Sequence, residues 1–188
     1  MRASEDAFIK NVALLSEELS ALGFYRAEGN TLEEAHKRVD YLKQVIEKND
    51  GYRIFYLKGK PIQRESDLQL MFKLTWYAAP EDVNAEVNNG RGPVDFKISR
   101  GAKDSTLVEF KLASNSKLKQ NLENQVAIYE DANRTKNSIK VILHFSEEEL
   151  LRVKRVINDL GLGKDKNIVL IDASKENKIS ASKAKSPK

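Results

Sequence analysis

No cysteine occurs among the 188 residues, which excludes a disulfide framework, a thiolate metal cluster and a cysteine nucleophile, and suits a reducing compartment. Histidine is almost as scarce. His36 and His144 are the only two, and neither has a partner at metal-ligand spacing, so zinc and a histidine general base are not expected. No run approaches the roughly 18 apolar residues of a membrane span, and MRASEDAFIK has acids where a secretory signal needs an apolar core. The expectation is a cytoplasmic chain with no membrane partner. GLGKDK, at 161–166, lacks the spacing of a phosphate-binding loop and follows a helix pattern, so it reads as a helix stop.

What is present is a hydrophobic fraction of 40%, enough in a chain of this length for one globular domain and a small appendage. The net charge of +4 does not describe the folded surface. Lys175, Lys178, Lys183, Lys185 and Lys188, set against Glu176, account for all of it, and the polar sequence around them reads as a flexible basic tail over 175–188. A more local asymmetry is informative: Arg91, Lys97, Arg100, Lys103, Lys111, Lys117 and Lys119 stand against Asp95, Asp104 and Glu109.

Residues 1–51 read as a helical appendage of two helices. Ser4 caps the first, whose apolar face is Phe8, Val12, Leu15, Leu19 and Leu22; Thr31 and Glu34 form a capping box for the second, with Val39, Leu42, Val45 and Ile46. The main domain, 52–174, opens with a short strand and turn in GYRIFYLKGKP. A helix follows with Ile62, Leu68, Leu70, Met71, Phe72, Leu74 and Trp76, where Met71, Phe72, Trp76 and Tyr77 are read as core. EDVNAEV reads as a strand, and VDFKIS and TLVEFKLA alternate as two antiparallel strands. An amphipathic helix over 116–133 comes next. SIKVILHF and NIVLIDA are apolar strands separated by a helix with a Ser146/Glu149 capping box and a Gly161 stop, the pattern of a parallel pair.

Side chains at i and i+2 on a strand share a face, so Glu109 and Lys111 emerge together, away from Val108, Phe110 and Leu112. Asp95, on the neighbouring strand, reaches the same face. Taken alone, Glu-x-Lys is an ordinary polar strand face. Its neighbours suggest more. A hard divalent cation needs carboxylate oxygens and open positions for water and phosphate. Asp95, Glu109 and the backbone carbonyl of Phe110 are candidate ligands for Mg²⁺ or Mn²⁺, with Lys111 orienting the attacking water. Glu65 can add a carboxylate from the preceding helix. Gln125 interrupts an apolar helix face and needs polar partners, with Tyr129 one turn away.

Asp95, then Glu109-Phe110-Lys111 on the next strand, then Gln125 and Tyr129 on a following helix, resembles the PD-(D/E)XK nuclease superfamily and the Q-x-x-x-Y helix of its RecB-like members. The similarity covers residues 62–172. The proline of that family's first motif has a counterpart in Pro93, although Val94 intervenes before Asp95. The resemblance implies an α/β restriction-endonuclease-like core, a mixed central sheet flanked by helices, and a metal-dependent nuclease acting on DNA in restriction, defence or repair. It also implies catalytic roles for Asp95, Glu109, Lys111, Gln125 and Glu65. Nucleic acid would be positioned by Arg91, Lys97, Arg100, Lys103, Lys117, Lys119 and Tyr129. A silent nuclease-like domain that binds nucleic acid or a partner protein is the competing reading. Both are compatible with a homodimer or with further domains of a larger effector.

Overall fold

The computed structural model describes residues 2–21, 29–77, 79–88, 93–101, 103–123, 137–176 and 178. The chain divides into two compact units, Met1–Asn30 and Thr31–Lys188. The first unit contains α1 (Arg2–Ala21), which starts two residues before the expected Ser4 cap. Among the described residues, no helix is long and apolar enough to cross a membrane.

The second unit is mixed α/β. Helix α2 (Thr31–Lys48), a 3₁₀ turn (Gly51–Phe55), the two-residue strands β1 (Tyr56–Leu57) and β2 (Lys60–Pro61), and α3 (Ser66–Leu74) precede the main sheet. That sheet has five strands in the order β3 (Asp82–Asn88), β4 (Pro93–Arg100), β5 (Asp104–Leu112), β6 (Asn137–His144) and β7 (Ile168–Asp172), with α4 (Glu147–Asp159) between the last two. The β3–β4 and β4–β5 pairs are antiparallel, while β5–β6 and β6–β7 are parallel. The alternating hairpin and the two apolar parallel strands are as the residue patterns suggest. Residues 118–123 are helical, and Ser116 and Lys117, expected in the same helix, form a turn before it; residues 124–133, Gln125 and Tyr129 included, lie outside the described residues.

Helix α2 corrects the expected boundary at residue 51, because it belongs with the sheet. Ala35, Val39, Leu42 and Ile46 recur at helical spacing and are fully buried with Phe96, Val108, Phe110 and Val141 in one apolar cluster. Its first turn is fixed to the start of β5. Thr31 donates its N–H to Asp104 Oδ2 at 3.0 Å and its hydroxyl to Asp104 Oδ1 at 2.6 Å. Asp104, a carboxylate at a helix N-terminus, thus satisfies the end that Glu34 was expected to help close. Glu34 pairs instead with Arg38 at 2.7 Å. At α4 the Ser146 cap is as expected, its hydroxyl accepting the Glu149 N–H at 3.2 Å.

The opposite face of the sheet is covered by a second cluster, in which Leu118 and Leu122 of the 118–123 segment meet Ala113, Ile142, Val153 and Ile157. Helix α3 is shorter than its apolar residues suggested. It buries Leu68 and Phe72 and leaves Leu70 and Leu74 exposed, while Trp76, in the turn just past its end, is buried as well. Tyr77, expected in the core, is 90% exposed because it lies in the turn beyond the helix end.

Three aromatic rings tie α3 to the hairpin. Phe72 lies 5.2 Å from Phe96 and 4.9 Å from Phe110, and those two are 6.0 Å apart. Each such pair contributes about 0.5–1.5 kcal/mol beyond simple burial. Phe96 is adjacent to Asp95, Phe110 separates Glu109 from Lys111, and Glu65 precedes α3. The aromatic cluster therefore sets the relative positions of four candidate site residues.

Candidate active site

The β4–β5 ladder runs from Arg100↔Asp104 to Phe96↔Val108. One residue further, a side chain takes over from the backbone: the Phe110 N–H donates to Asp95 Oδ2 at 2.6 Å. Asp95 is thereby held against β5. Burial pushes its carboxyl above the usual carboxylate range, with the Glu65 charge adding to the rise. The Lys111 ammonium, the Phe110 N–H and a hydrogen bond from Gln69 oppose it.

Glu65 occupies the N-terminal end of α3, and its main-chain carbonyl accepts the Leu68 and Gln69 N–H groups at 3.0 and 3.1 Å. Its side chain reaches the end of β5. Oε1 accepts the Leu112 N–H at 3.1 Å and the Asn115 side-chain N–H at 3.2 Å, while Oε2 lies 3.5 Å from Lys111 Nζ. Lys111 Nζ also donates to the Phe110 carbonyl at 3.0 Å and stands 3.9 Å from Asp95 Oδ2. One ammonium is thus surrounded by three oxygens from three elements.

Glu109, 6% exposed, shares the sheet face of Lys111 two residues on. The parallel register sets it beside Lys140 of β6, itself 7% exposed. Burial lowers the Lys140 pKa, and the Glu109 charge, followed by Asp165, works against that fall.

Asp95, Glu65, Lys111 and the Phe110 carbonyl therefore converge, with Glu109 on the same face. The expected basic residues take different places relative to this cluster. Lys97 is two residues past Asp95 and half-buried. Arg100 and Lys103 lie at the far end of the hairpin, about 17 Å along the strand at roughly 3.4 Å per residue. Arg100 is also engaged by the buried Glu81. Lys117 is exposed on the turn after β5, with its N–H on Asn115 Oδ1 at 2.9 Å. Lys119 lies 3.6 Å from Asp159. Arg91, like Gln125 and Tyr129, is outside the described residues.

Three polar residues of this neighbourhood escaped the sequence reading. Gln69 carried a signal, since it follows Glu65 by one helical turn. Lys140 carried another, as a charge within an apolar strand. Asn115 carried none: only the tertiary fold brings its turn to Glu65.

Among the described residues there is no group of three or more His, Cys, Asp or Glu side chains that could hold a metal ion. Two carboxylates and a carbonyl, oxygen donors of the kind a hard cation takes, surround the Lys111 ammonium. His36 and His144 take no part in it. His36 Nε2 pairs with Asn167 Oδ1 at 2.9 Å, and His144 is buried at the end of β6 with Nδ1 4.0 Å from Asp172 Oδ1.

In comparisons with known proteins, residues 31–147 match a family model described as a domain of unknown function (DUF8371). The match begins at the first residue of α2 and takes in Glu65, Asp95, Glu109, Lys111 and Lys140. No curated protein and no solved structure matches the chain.

Proposed function

The chain belongs to the DUF8371 family, and we propose that this member is a divalent-metal-dependent nuclease of restriction-endonuclease-like fold that hydrolyses phosphodiester bonds in DNA. The carrying observation is the cation position between Glu65 Oε2, Asp95 Oδ2 and the Phe110 carbonyl, occupied by the Lys111 ammonium. An antiparallel hairpin bearing Asp95 and Glu109, followed by parallel strands with helices on both sheet faces, supports the fold.

Asp95, Glu109 and the Phe110 carbonyl would hold Mg²⁺ or Mn²⁺. When bound, such a cation supplies Lewis-acid charge to a phosphodiester and lowers the pKa of a water. The remaining work falls to the chain's own groups. The Phe110 N–H fixes the orientation of Asp95. Glu65, held by Leu112 and Asn115, orients Lys111. Lys111 donates N–H to the attacking water oxygen and to the negative charge that develops on the phosphate. The water oxygen gives up a proton to bulk solvent and bonds to phosphorus as the bond to the 3′ oxygen breaks; the 3′ oxygen takes a proton from solvent water and leaves as a hydroxyl, giving a 5′-phosphate.

Cleavage of duplex DNA, single-stranded DNA and RNA with Mg²⁺ or Mn²⁺, against an EDTA control and Lys111→Ala, tests this. Metal-dependent cutting of DNA that is lost in the variant supports the reading. No cutting of any substrate, with Lys111→Ala indistinguishable from wild type, removes it. The competing reading is a silent domain that binds nucleic acid or a partner protein. It draws on the same ammonium, which already neutralises the oxygens a metal would need.

A further inference from the structure

We infer that Lys111 acts as a resident cation that sets the threshold for divalent-metal uptake, beyond its part in the chemistry. This rests on the nuclease reading of the site. An ammonium 3.0 Å from the Phe110 carbonyl, 3.5 Å from Glu65 Oε2 and 3.9 Å from Asp95 Oδ2 occupies the volume toward which those oxygens point. The Lys111 side chain is 14% exposed, Asp95 17% and Glu65 24%, so the charges interact through little solvent.

Two of the three oxygens are independently fixed against the protein frame. Asp95 Oδ2 accepts the Phe110 N–H, and the Glu65 carboxylate is held through its other oxygen by Leu112 and Asn115. The lysine is the movable partner. Its flexible four-carbon stem leaves the same strand face that carries Glu109, so it can withdraw without any change in the strand. A metal ion therefore competes with a charge that belongs to the chain. A monovalent ion brings no more charge than the ammonium it would replace and gains little. A divalent ion brings twice the charge and can displace it. Without metal, the same contacts keep Asp95 and Glu65 from facing each other as unpaired buried anions. Lys111 thus stabilises the metal-free site and opposes metal binding at once, a pair of effects that a purely catalytic lysine would not produce.

The test is calorimetric titration of Mn²⁺ into the EDTA-stripped full chain, wild type and Lys111→Met, with thermal unfolding of each in EDTA and in saturating Mn²⁺. The expected result is that Lys111→Met binds Mn²⁺ roughly tenfold or more tightly than wild type, unfolds at a lower temperature in EDTA, and gains more from Mn²⁺ than wild type does, although it no longer cuts. If Lys111→Met does not fold without metal, Lys111→Gln keeps a donor for the Phe110 carbonyl and removes only the charge. Equal or weaker Mn²⁺ binding by the neutral variants overturns the inference while leaving a wild type that binds Mn²⁺ and cuts DNA intact. Failure of every form to bind Mn²⁺ overturns the nuclease reading itself, and this inference with it.

Discussion

Glu65 joins the site by two separate kinds of contact, and replacing it by Ala or by Gln separates them. In Glu65→Ala the Leu112 N–H loses its acceptor where the residue is only 3% exposed, costing about 1–3 kcal/mol. The Asn115 contact at 3.2 Å is worth about 0.5–1.5 kcal/mol, and the ion pair with Lys111 about 1 kcal/mol or less. Together these predict a loss of roughly 1.5–5.5 kcal/mol, or about 3–20 °C in melting temperature for a domain of this size. Glu65→Gln keeps an acceptor oxygen for Leu112 and Asn115 and loses only the charge, so its melting temperature should lie within about 3 °C of wild type. Cleavage should nevertheless fall in both, because Lys111 loses the carboxylate that orients it. Thermal unfolding in EDTA, beside a cleavage assay, reads both quantities. A Glu65→Ala protein as stable as wild type, or a Glu65→Gln protein as damaged as Glu65→Ala, would refute the assignment of Oε1 to structure and Oε2 to chemistry.

Lys140→Met removes the cation that the register sets beside buried Glu109 and should lower stability. Lys140→Met with Glu109→Leu should recover part of that loss, and additive losses in urea unfolding would show that the two do not interact. His144 has its pKa lowered by burial, so the folded state resists the proton that the unfolded state accepts. Its contribution is fully present above about pH 6.5 and is lost as pH falls through the lower folded value. His144→Gln should flatten that part of the melting-temperature profile, and an unchanged slope would contradict the assignment. Asp95 has its pKa raised, chiefly by burial, so the sign reverses: its ionised form is a cost in the folded state that grows as pH rises through the raised value. Asp95→Asn should therefore melt higher than wild type in EDTA at pH 8 yet gain nothing from Mn²⁺. A lower melting point would show that the contacts with Lys111 and Phe110 outweigh the desolvation.

The hairpin and the parallel strands were legible because periodicity reports which residues face a core, and Val108, Phe110 and Leu112 all proved buried. Asp95, Glu109 and Lys111 were legible for the same reason, as charges inside those patterns. The partners that hold them were not. That Asp95 accepts from Phe110, or Glu65 from Leu112, depends on where a ladder ends and where a helix begins, and neither has a residue code. What α2's apolar face packs against was not legible either. Its apolar stripe is the same whether it packs on another helix or on a sheet, so periodicity could not place it in the core. Nothing in the sequence signalled that Arg100 would be engaged by Glu81.

The central claim is that this site exchanges its internal ammonium for a divalent metal, and anomalous diffraction from crystals grown with Mn²⁺ tests it most directly. The account predicts a Mn²⁺ peak in contact with the Asp95 and Glu109 carboxylates and the Phe110 carbonyl, with Lys111 Nζ withdrawn from Asp95 and the Phe110 carbonyl and still paired with Glu65. No peak at saturating Mn²⁺, with the ammonium still between Glu65, Asp95 and Phe110, would contradict it.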